Sequence, residues 1–270
     1  MRRRRAGGVT NVAALMAGTA GATYGAEATA LFARMSVQPD STRKTLIDNL
    51  CNALVSAGVW AKLDCLYVTA AHDAQAARLN WVSSSYNVVA GGSPTFTTDR
   101  GYTGDGVGAT LSSTFNPSTS PSPKYAQDNA IMFAWVGTDV TASTQIDCGH
   151  SPTLAFICSH NTTSTPRMRI SVATNAAPTL PANTGVGLLA ALRTSSAGMD
   201  GYKNATALSN TAATSTGVGN GVFSMLCANG AANFSARTVA ASGLGSALTP
   251  TEYGNFYSAL STYMVAIGAP

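Results

Sequence analysis

The chain has 270 residues, of which only 10% are charged, and its sixteen Lys and Arg face twelve Asp and Glu. Four of the sixteen are Arg2, Arg3, Arg4 and Arg5, so the remaining twelve balance the twelve acids and the body of the protein is neutral. Binding to a nucleic-acid duplex normally uses several distributed phosphate contacts, so this charge distribution argues against specific nucleic-acid recognition. No segment approaches the roughly 20 consecutive apolar residues of a membrane span, which excludes a transmembrane helix.

Residues 1–38 are predicted to form a basic arm followed by a short helix. The apolar residues that recur at helical spacing before Pro39 are Ala28, Leu31, Phe32 and Met35. The arm and the alanine-rich residues behind it also resemble a secretory signal, although polar residues interrupt the apolar run, so a cleaved leader stays open as an alternative. We interpret residues 1–38 as an anchor, in which the arginines add charge contacts to an acidic neighbour.

Residues 39–80 are predicted to form a helical hairpin or trio. Asp40 is an N-cap residue type, and the apolar stripe behind it runs to Gly58 through Leu46, Ile47, Leu50, Leu54 and Val55. A second helical pattern follows almost without a gap in Val59, Leu63, Leu66 and Tyr67, and residues 70–79 can continue it.

Residues 81–248 are predicted to form a β-sandwich. At Trp81 the apolar period changes from helical to strand-like, and Gly, Ser and Thr become frequent. Eleven short strand candidates follow between turn clusters, at residues 86–89, 95–98, 109–115, 130–136, 144–148, 154–160, 168–173, 187–194, 199–203, 221–227 and 234–241. Their number and close spacing favour a mainly β fold, an antiparallel sandwich or jelly roll, over a parallel α/β sheet.

Residues 249–270 are predicted to form a closing helix. Thr249 is the expected N-cap, Pro250 the first helical residue, and Glu252 the third residue of a capping box. A wide apolar face follows, and it must be covered either by the helices at the start of the chain or by a neighbouring subunit.

The order of these segments resembles two known groups of proteins. The body resembles a concanavalin A-like, laminin-G-type jelly roll in GYTGDG at residues 101–106, FNP at 115–117, FAW at 133–135, Leu192-Arg193, GYKN at 201–204 and FSAR at 234–237. More narrowly, GVWAKLD at residues 58–64, Asn80-Trp81, the sandwich, and LTPTE at 248–252 with its helix resemble structural proteins of tailed bacteriophages and prophages. The resemblance covers residues 46–268 and implies a virion protein assembled in the bacterial cytoplasm, with other virion proteins as partners. Symmetric positions in a virion imply a homo-oligomer, for which we expect a trimer.

The sequence contains no recognisable catalytic motif. Glycan hydrolases on this type of sandwich use a pair of carboxylates, typically Glu residues on one strand, but the two Glu residues here, Glu27 and Glu252, lie in predicted helices. Serine-nucleophile chemistry needs a base, and the three histidines accompany no Gly-x-Ser-x-Gly elbow. We therefore expect a protein that is not an enzyme and has no cofactor.

Two alternating pairs, Cys148 with His150 and Cys158 with His160, are the candidate metal ligands. A hairpin register centred on residue 154 would place Cys148 opposite His160 and His150 opposite Cys158, giving four zinc ligands. A second register would place Cys148 opposite Cys158, as a disulfide or as two buried thiols. Zinc is the less favoured alternative, because the spacing matches no established metal motif.

The remaining cysteines and the aspartates near turns leave two further alternatives open. Cys51 and Cys65 could approach each other across the helical hairpin, but with five cysteines in total the simplest expectation is reduced, buried thiols. Calcium needs six to eight converging oxygens, and no local run supplies three carboxylates, so Asp99, Asp105, Asp139 and Asp200 are interpreted as turn-forming residues.

The first functional hypothesis is a non-enzymatic structural component of a tailed phage particle, such as a decoration, collar, fibre or spike module. The alternative is a carbohydrate-binding adhesin that recognises a host surface glycan, and a secreted glycan-active enzyme is the third choice. Arg193 is interpreted as structural. A glycan would be held by a candidate ligand rim at Tyr102, Asp105, Asn116, Tyr125, Tyr202, Lys203 and Asn204.

Overall fold

The computed structural model describes residues 23–141, 145–160, 166–173, 185–208 and 211–270. The predicted anchor arm, Arg2 to Arg5, lies outside the described residues. Within them the protein is a sandwich of two antiparallel β-sheets with a layer of helices on one outer face, which confirms the predicted fold class. None of the helices in these ranges has the length and apolar character that crossing a bilayer requires.

The strands and helices follow one another in this order: α1 Ala26–Phe32, α2 Ser41–Ser56, β1 Leu63–Val68, β2 Val89–Gly91, β3 Thr95–Thr97, β4 Gly101–Thr103, β5 Thr110–Ser112, β6 Ala130–Val136, β7 Cys148–Ser151, β8 Ala155–Cys158, β9 Arg167–Arg169, β10 Gly187–Arg193, β11 Gly198–Lys203, β12 Thr206–Ala207, β13 Thr211–Ala212, β14 Ser224–Met225, β15 Thr238–Gly245 and α3 Pro250–Ala266. Short 3-10 helices at Trp60–Lys62 and Ala76–Arg78 flank β1.

The larger sheet has nine strands, and its main path runs β12-β11-β10-β6-β15-β4-β3. Strand β1 pairs with β15 and strand β13 pairs with β11 outside this path. The smaller sheet has six strands in the order β2-β5-β14-β7-β8-β9. Strands β6 and β10 contact β7, β8 and β9, so the two sheets pack face to face over a common core.

The core is centred on β6, in which all seven residues are buried. A strand that is covered on both faces has a continuous run of apolar residues, and the sequence of β6, AIMFAWV, is such a run. Strand β15 is also buried throughout but contains small residues, because β1 packs closely beside it. A Cβ added at Gly243 would lie 2.2 Å from the carbonyl oxygen of Cys65, so only glycine fits at this point.

The helical layer covers the outer face of the nine-stranded sheet. In α3 the capping box is formed as predicted, with the Thr249 side chain accepting the amide of Glu252 and the Glu252 side chain accepting the amide of Thr249. Phe256 packs against Phe133 of β6 with ring centroids 4.7 Å apart. Helix α2, capped by Asp40 as predicted, packs beside α3, so helices from both ends of the chain cover the sheet together.

The predicted helical hairpin over residues 39–80 is wrong in its second half. Residues 63–68 form strand β1, which pairs antiparallel with β15 from Leu63 opposite Gly245 to Val68 opposite Ala241. The run LDCLYV is buried almost throughout because one face meets the opposite sheet and the other meets the helices. The sandwich therefore begins at residue 63, not at the predicted boundary at Trp81.

Candidate functional site

The predicted ligand rim does not form one site. Tyr102 lies on β4 and Lys203 on β11, and β10, β6 and β15 separate these two strands in the sheet. Four steps of about 4.8 Å place the strands roughly 19 Å apart. These residues therefore do not contact a common small ligand.

Three residues of the predicted rim make structural contacts. The Tyr102 side chain is buried, and its hydroxyl donates to the carbonyl of Ala74 at 3.0 Å. Tyr125 is 1% exposed and packs edge-on against His150. Asn204 adopts a left-handed φ of 52°, and its Oδ1 accepts the amide of Leu188 at 2.9 Å, so it shapes the turn after β11.

Lys203 points into the sandwich and does not reach a ligand at the predicted rim. It is 6% exposed, and its Nζ donates to the carbonyl of Val186. Burial lowers the pKa of Lys203 to about 8. The alternation along β11 explains the error, because Met199, Gly201 and Lys203 are the buried positions of this strand.

Asp105 and Asn116 are more accessible, but each is engaged in loop structure. Asp105 Oδ1 accepts the amides of residues 107, 108 and 109 at 2.8 to 2.9 Å, and these hydrogen bonds lower its pKa to about 2. Asn116 Nδ2 donates to Asn220 Oδ1 at 2.8 Å. Asp105 thus folds its own loop, as was expected of the aspartates near turns, whereas Asn116 joins its loop to the one that carries Asn220.

The predicted zinc site is not assembled. Strands β7 and β8 pair with Cys148 opposite Ile157, and a bulge lies between Gly149 and Ser151. This register differs both from the one that would bring Cys148 to His160 and from the one that would bring it to Cys158. Within the described ranges, no group of three or more His, Cys, Asp and Glu side chains could hold a metal ion.

The four candidate ligands instead have separate surroundings. The Cys148 thiol donates to the carbonyl of Phe133 at 3.6 Å, whereas Cys158 packs in a small apolar cluster with Phe156. His150 is buried, which lowers its pKa to about 4, and its Nδ1 lies 3.2 Å from the carbonyl oxygen of Gly219. A neutral imidazole that donates to this carbonyl fits the surroundings.

All five cysteines fall in the described residues and are buried free thiols. Burial raises the pKa of Cys51 and Cys65 to about 12 and that of Cys227 to about 11. A thiol with so high a pKa is a poor nucleophile at neutral pH. The arrangement is the one expected of cysteines that serve as small apolar core residues.

His160 belongs to a polar cluster at one end of the sandwich. Its Nδ1 is hydrogen bonded to Asp139, and its Nε2 lies 3.3 Å from Thr141 Oγ1. The same Asp139 oxygen accepts the amide of Gly185 at 2.9 Å, and Arg237 donates to the carbonyl of His160. Burial raises the pKa of Asp139, but the hydrogen bonds from Gly185 and His160 lower it on balance.

This cluster has the chemical order of a nucleophilic triad, with a hydroxyl, an imidazole and a carboxylate. However, Asp139 also accepts the backbone amide of Gly185, and the backbone carbonyl of His160 accepts the guanidinium of Arg237. We therefore interpret the group as a clasp that joins the loops at this end of the sandwich.

The two glutamates do not form the carboxylate pair of a glycan hydrolase. Glu252 Oε2 accepts Lys62 Nζ at 2.6 Å and the amide of Thr249 at 2.7 Å. Glu27 lies on α1, a separate helix. Glu252 thus serves the helix cap and an ion pair, as the sequence indicated for the cap.

A pocket on the outer face of the nine-stranded sheet is the best candidate for ligand binding. It has a volume of about 350 Å³ and lies where β10 and β11 meet the start of α3. Its lining combines apolar side chains with an amide, hydroxyls and a carboxylate; the lining residues are Asn129, Leu192, Thr194, Asp200, Tyr202, Ala247, Leu248, Thr249 and Pro250. Only Tyr202 of this pocket belongs to the predicted rim.

The alternation of β11 positions the two residues that dominate the pocket. Asp200 and Tyr202 are two residues apart, so both side chains lie on the outer face, while their neighbours point into the core. The Tyr202 ring packs on Tyr253 of α3 with ring centroids 4.0 Å apart. Burial, together with the negative charge of Asp200, raises the pKa of Tyr202.

Comparisons with known proteins show the fold and nothing finer. No protein-family model matches the chain, and no curated protein sequence matches it. Among solved structures, Trypanosoma rangeli sialidase in complex with sialic acid is similar with a TM-score of 0.51 and 12% identity, covering 81% of this chain and 39% of the sialidase. A mutant of the same sialidase displaying trans-sialidase activity has a TM-score of 0.50 and 13% identity, with the same coverage.

The binding domain of botulinum neurotoxin serotype D is similar with a TM-score of 0.52 and 8% identity, covering 74% of this chain and 52% of that domain. The chain thus spans well under half of the sialidases and about half of the toxin domain. At these identities the likeness establishes a β-sandwich fold for the chain, in agreement with the fold predicted from its sequence.

Proposed function

We propose that this protein is a glycan-binding β-sandwich that recognises its ligand without cleaving it. The observation that carries the proposal is the pocket beside Tyr202 and Asp200. A sugar ring presents hydroxyl groups at its edge and apolar C–H groups on its face. The pocket matches this chemistry, since a carboxylate and an amide accompany an aromatic ring and apolar side chains.

The structural neighbours support glycans as the ligand class. One of them is a sialidase in complex with sialic acid. A binding role is preferred to hydrolysis because Glu252 is committed to Lys62 and the helix cap, so it is not available as one member of a catalytic carboxylate pair.

A glycan array with the purified chain, with and without calcium, tests the proposal. The affinity for any glycan that binds is then measured for the wild type and for Asp200→Asn and Tyr202→Ala. A hydrogen bond to a charged group contributes about 1.5–3 kcal/mol, so Asp200→Asn is expected to weaken binding roughly 10- to 100-fold. Asn116→Ala, a change in a loop outside this pocket, is the matched control and should leave the affinity unchanged.

Two outcomes would contradict the glycan-binding proposal. The first is a wild-type chain that binds no glycan on the array. The second is a bound glycan whose affinity is the same for Asp200→Asn, Tyr202→Ala and the control, because the ligand would then lie outside this pocket.

A second candidate function is the one that the phage resemblance implies: a structural component of a tailed-phage particle that displays the sandwich. Exposed valines at one edge of the six-stranded sheet favour such subunit contacts. Val89 on edge strand β2 is 66% exposed and Val107 is 78% exposed. A Cβ added at Gly92 would lie 2.1 Å from the carbonyl of Gly108, so the loop carrying Val107 continues the same edge.

We propose that this edge contacts other copies or other virion proteins, with a homotrimer as the assembly. Light scattering after size-exclusion chromatography should give three times the chain mass for the wild type and a lower mass for Val89→Asp with Val107→Asp. A wild-type chain that stays monomeric at all concentrations would contradict the trimer. Localisation in an electron-microscopy map of the particle would test the virion setting directly.

A further inference from the structure

The pocket beside Tyr202 presents negative charge to a ligand. Among its lining residues, all of which are described, Asp200 alone carries a charge. The strand register places Asp200 opposite Leu192 of β10, which also lines the pocket. The carboxylate therefore lies between the two strands that supply this wall, beside the apolar and aromatic side chains that would contact a sugar ring.

Two basic residues adjoin the pocket in sequence, but both side chains lie on the opposite face of the sheet. Lys203 follows Tyr202 on β11, is 6% exposed and donates to the carbonyl of Val186. Arg193 on β10 is fully buried, and its Nε donates to the carbonyl of Ile170 at 2.9 Å. Because successive side chains of a strand alternate between the two faces, the strands that supply the pocket direct their cations into the core.

The start of α3, which forms another wall of the pocket, adds little positive charge. A helix N-terminus ordinarily attracts an anion through its free amides. Here Thr249 Oγ1 accepts the amide of Glu252 at 3.2 Å, and Pro250 has no amide hydrogen. The Glu252 carboxylate in turn accepts the amide of Thr249 at 2.7 Å and Lys62 Nζ at 2.6 Å. An anionic ligand therefore meets less positive potential here than at an uncapped helix.

We propose that the pocket is specific for an amino sugar, whose protonated amine pairs with Asp200. This inference rests on the proposed glycan binding and adds the class of sugar. A hydrogen bond between an ammonium group and a carboxylate is stronger than one from a neutral donor. The Tyr202 ring, packed on Tyr253 with centroids 4.0 Å apart, also attracts a cation that lies over its face. An acidic sugar would instead bring like charge to Asp200.

A matched pair of oligosaccharides tests this specificity in the full chain. Glucosamine oligomers carry a free ammonium group on each ring, whereas N-acetylglucosamine oligomers of the same length carry a neutral amide. Isothermal titration calorimetry should give about tenfold tighter binding for the glucosamine oligomer, because a charge-assisted hydrogen bond is roughly twice as strong as a neutral one. The difference should shrink at high salt, since Asp200 is only half-buried.

Two charge-removing variants show whether Asp200 is the origin of the preference. Asp200→Asn keeps the shape of the side chain and should abolish the tenfold difference, so that both oligomers bind with similar affinity. Glu27→Gln is the matched control, because it removes the same charge from α1, which does not line the pocket. Thermal unfolding verifies that both variants are folded. A difference that persists in Asp200→Asn would overturn the inference.

A charge-adding variant gives a second readout. Thr194 is an exposed residue of the lining, and Thr194→Lys should weaken binding of the glucosamine oligomer and strengthen binding of an oligogalacturonate, which is acidic. Thr42→Lys adds the same charge at an exposed position of α2, outside the pocket, and should change neither affinity. The same sugar preference in Thr194→Lys and in the wild type would contradict the inference.

Failure of the amino-sugar specificity is distinguishable from failure of glycan binding. A wild-type chain that binds neutral or acidic glycans at least as tightly as glucosamine oligomers would overturn the specificity and leave the proposed glycan binding in place. A wild-type chain that binds no glycan at all would overturn both.

Discussion

Removal of Asp147 should strongly destabilise the protein. Asp147 and Arg237 have completely buried side chains, with Oδ1 and Nη1 3.1 Å apart. Asp147 also accepts the amide of Ser159 at 2.6 Å and the hydroxyl of Ser235 at 3.1 Å. Arg237 donates further to the carbonyls of Val140 and His160, so the pair joins four segments at one end of the sandwich.

The expected loss follows from what the substitution leaves behind. Asp147→Ala leaves the Arg237 guanidinium buried without its counter-charge, and breaking a buried pair in this way costs about 3–5 kcal/mol. Domains are typically stable by only about 5–15 kcal/mol, so the variant loses a large part of its free energy of unfolding. Urea denaturation followed by tryptophan fluorescence measures the difference.

Two further variants separate a lost ion pair from a lost side chain. Asp147→Leu with Arg237→Met removes both charges and should recover most of the loss, because replacing a buried pair with apolar groups is often neutral. Lys62→Met breaks the partly exposed pair with Glu252, whose side chains are 32% and 21% exposed, and should cost less than about 1 kcal/mol. A loss below about 1 kcal/mol for Asp147→Ala would refute the argument, because a fully buried guanidinium without its counter-charge should lower the free energy of unfolding by more than this.

Three further predictions concern Lys203, Asp105 and Thr249. Lys203 has a pKa of about 8 in the folded chain and 10.5 in the unfolded chain. The free energy of unfolding should therefore rise by up to about 3 kcal/mol from below pH 8 to above pH 10.5. Urea titrations at several pH values measure this rise, which Lys203→Met should flatten. Asp105 should titrate near pH 2 in carbon-detected NMR. Its contribution to stability is complete above pH 3.8 and is lost as the pH falls through about 2. A midpoint near 3.8 would show that its three backbone hydrogen bonds are not formed. Thr249→Ala removes the N-cap of α3 and should lower stability by about 1 kcal/mol, measured by thermal unfolding, whereas Thr251→Ala in the same first turn should have a smaller effect.

The elements that could be predicted from the sequence are those whose local signal agrees with their final surroundings. Strand β6 has the predicted bounds, Ala130–Val136. An apolar run of seven residues between turns is typical of a strand that is buried on both faces at the centre of a sheet. Helix α3 begins at the predicted cap because Thr249, Pro250 and Glu252 each satisfy a local requirement of a helix start.

Strand β1 could not be predicted from its pattern. Val59, Leu63, Leu66 and Tyr67 fit a helical period, but they also belong to a continuous run that is buried on both faces of a strand. A short apolar run does not distinguish these two structures. Residues 63–68 form a strand because they pair with β15, which lies more than 170 residues later in the chain. The glycines of β15 allow β1 to lie close beside it.

The candidate site was predictable only at the level of one strand. The alternation in GMDGYK places Asp200 and Tyr202 on one face, and this signal was present in the sequence. Their partners in the pocket, Asn129, Leu248 and Pro250, come from other parts of the chain and are brought together by sheet order. The predicted rim failed for the same reason, because its residues were chosen without knowledge of strand order or of which face of β11 is buried.

The pairing of β1 with β15 has a consequence for how the protein is made. The first strand of the sandwich has its neighbour in the last strand, from Leu63 opposite Gly245 to Val68 opposite Ala241. During synthesis β1 therefore leaves the ribosome long before its partner exists, and the nine-stranded sheet cannot close until β15 has emerged. The same pairing places the start of β1 beside the end of β15, so the helical segments that precede β1 and follow β15 leave the sheet from neighbouring points.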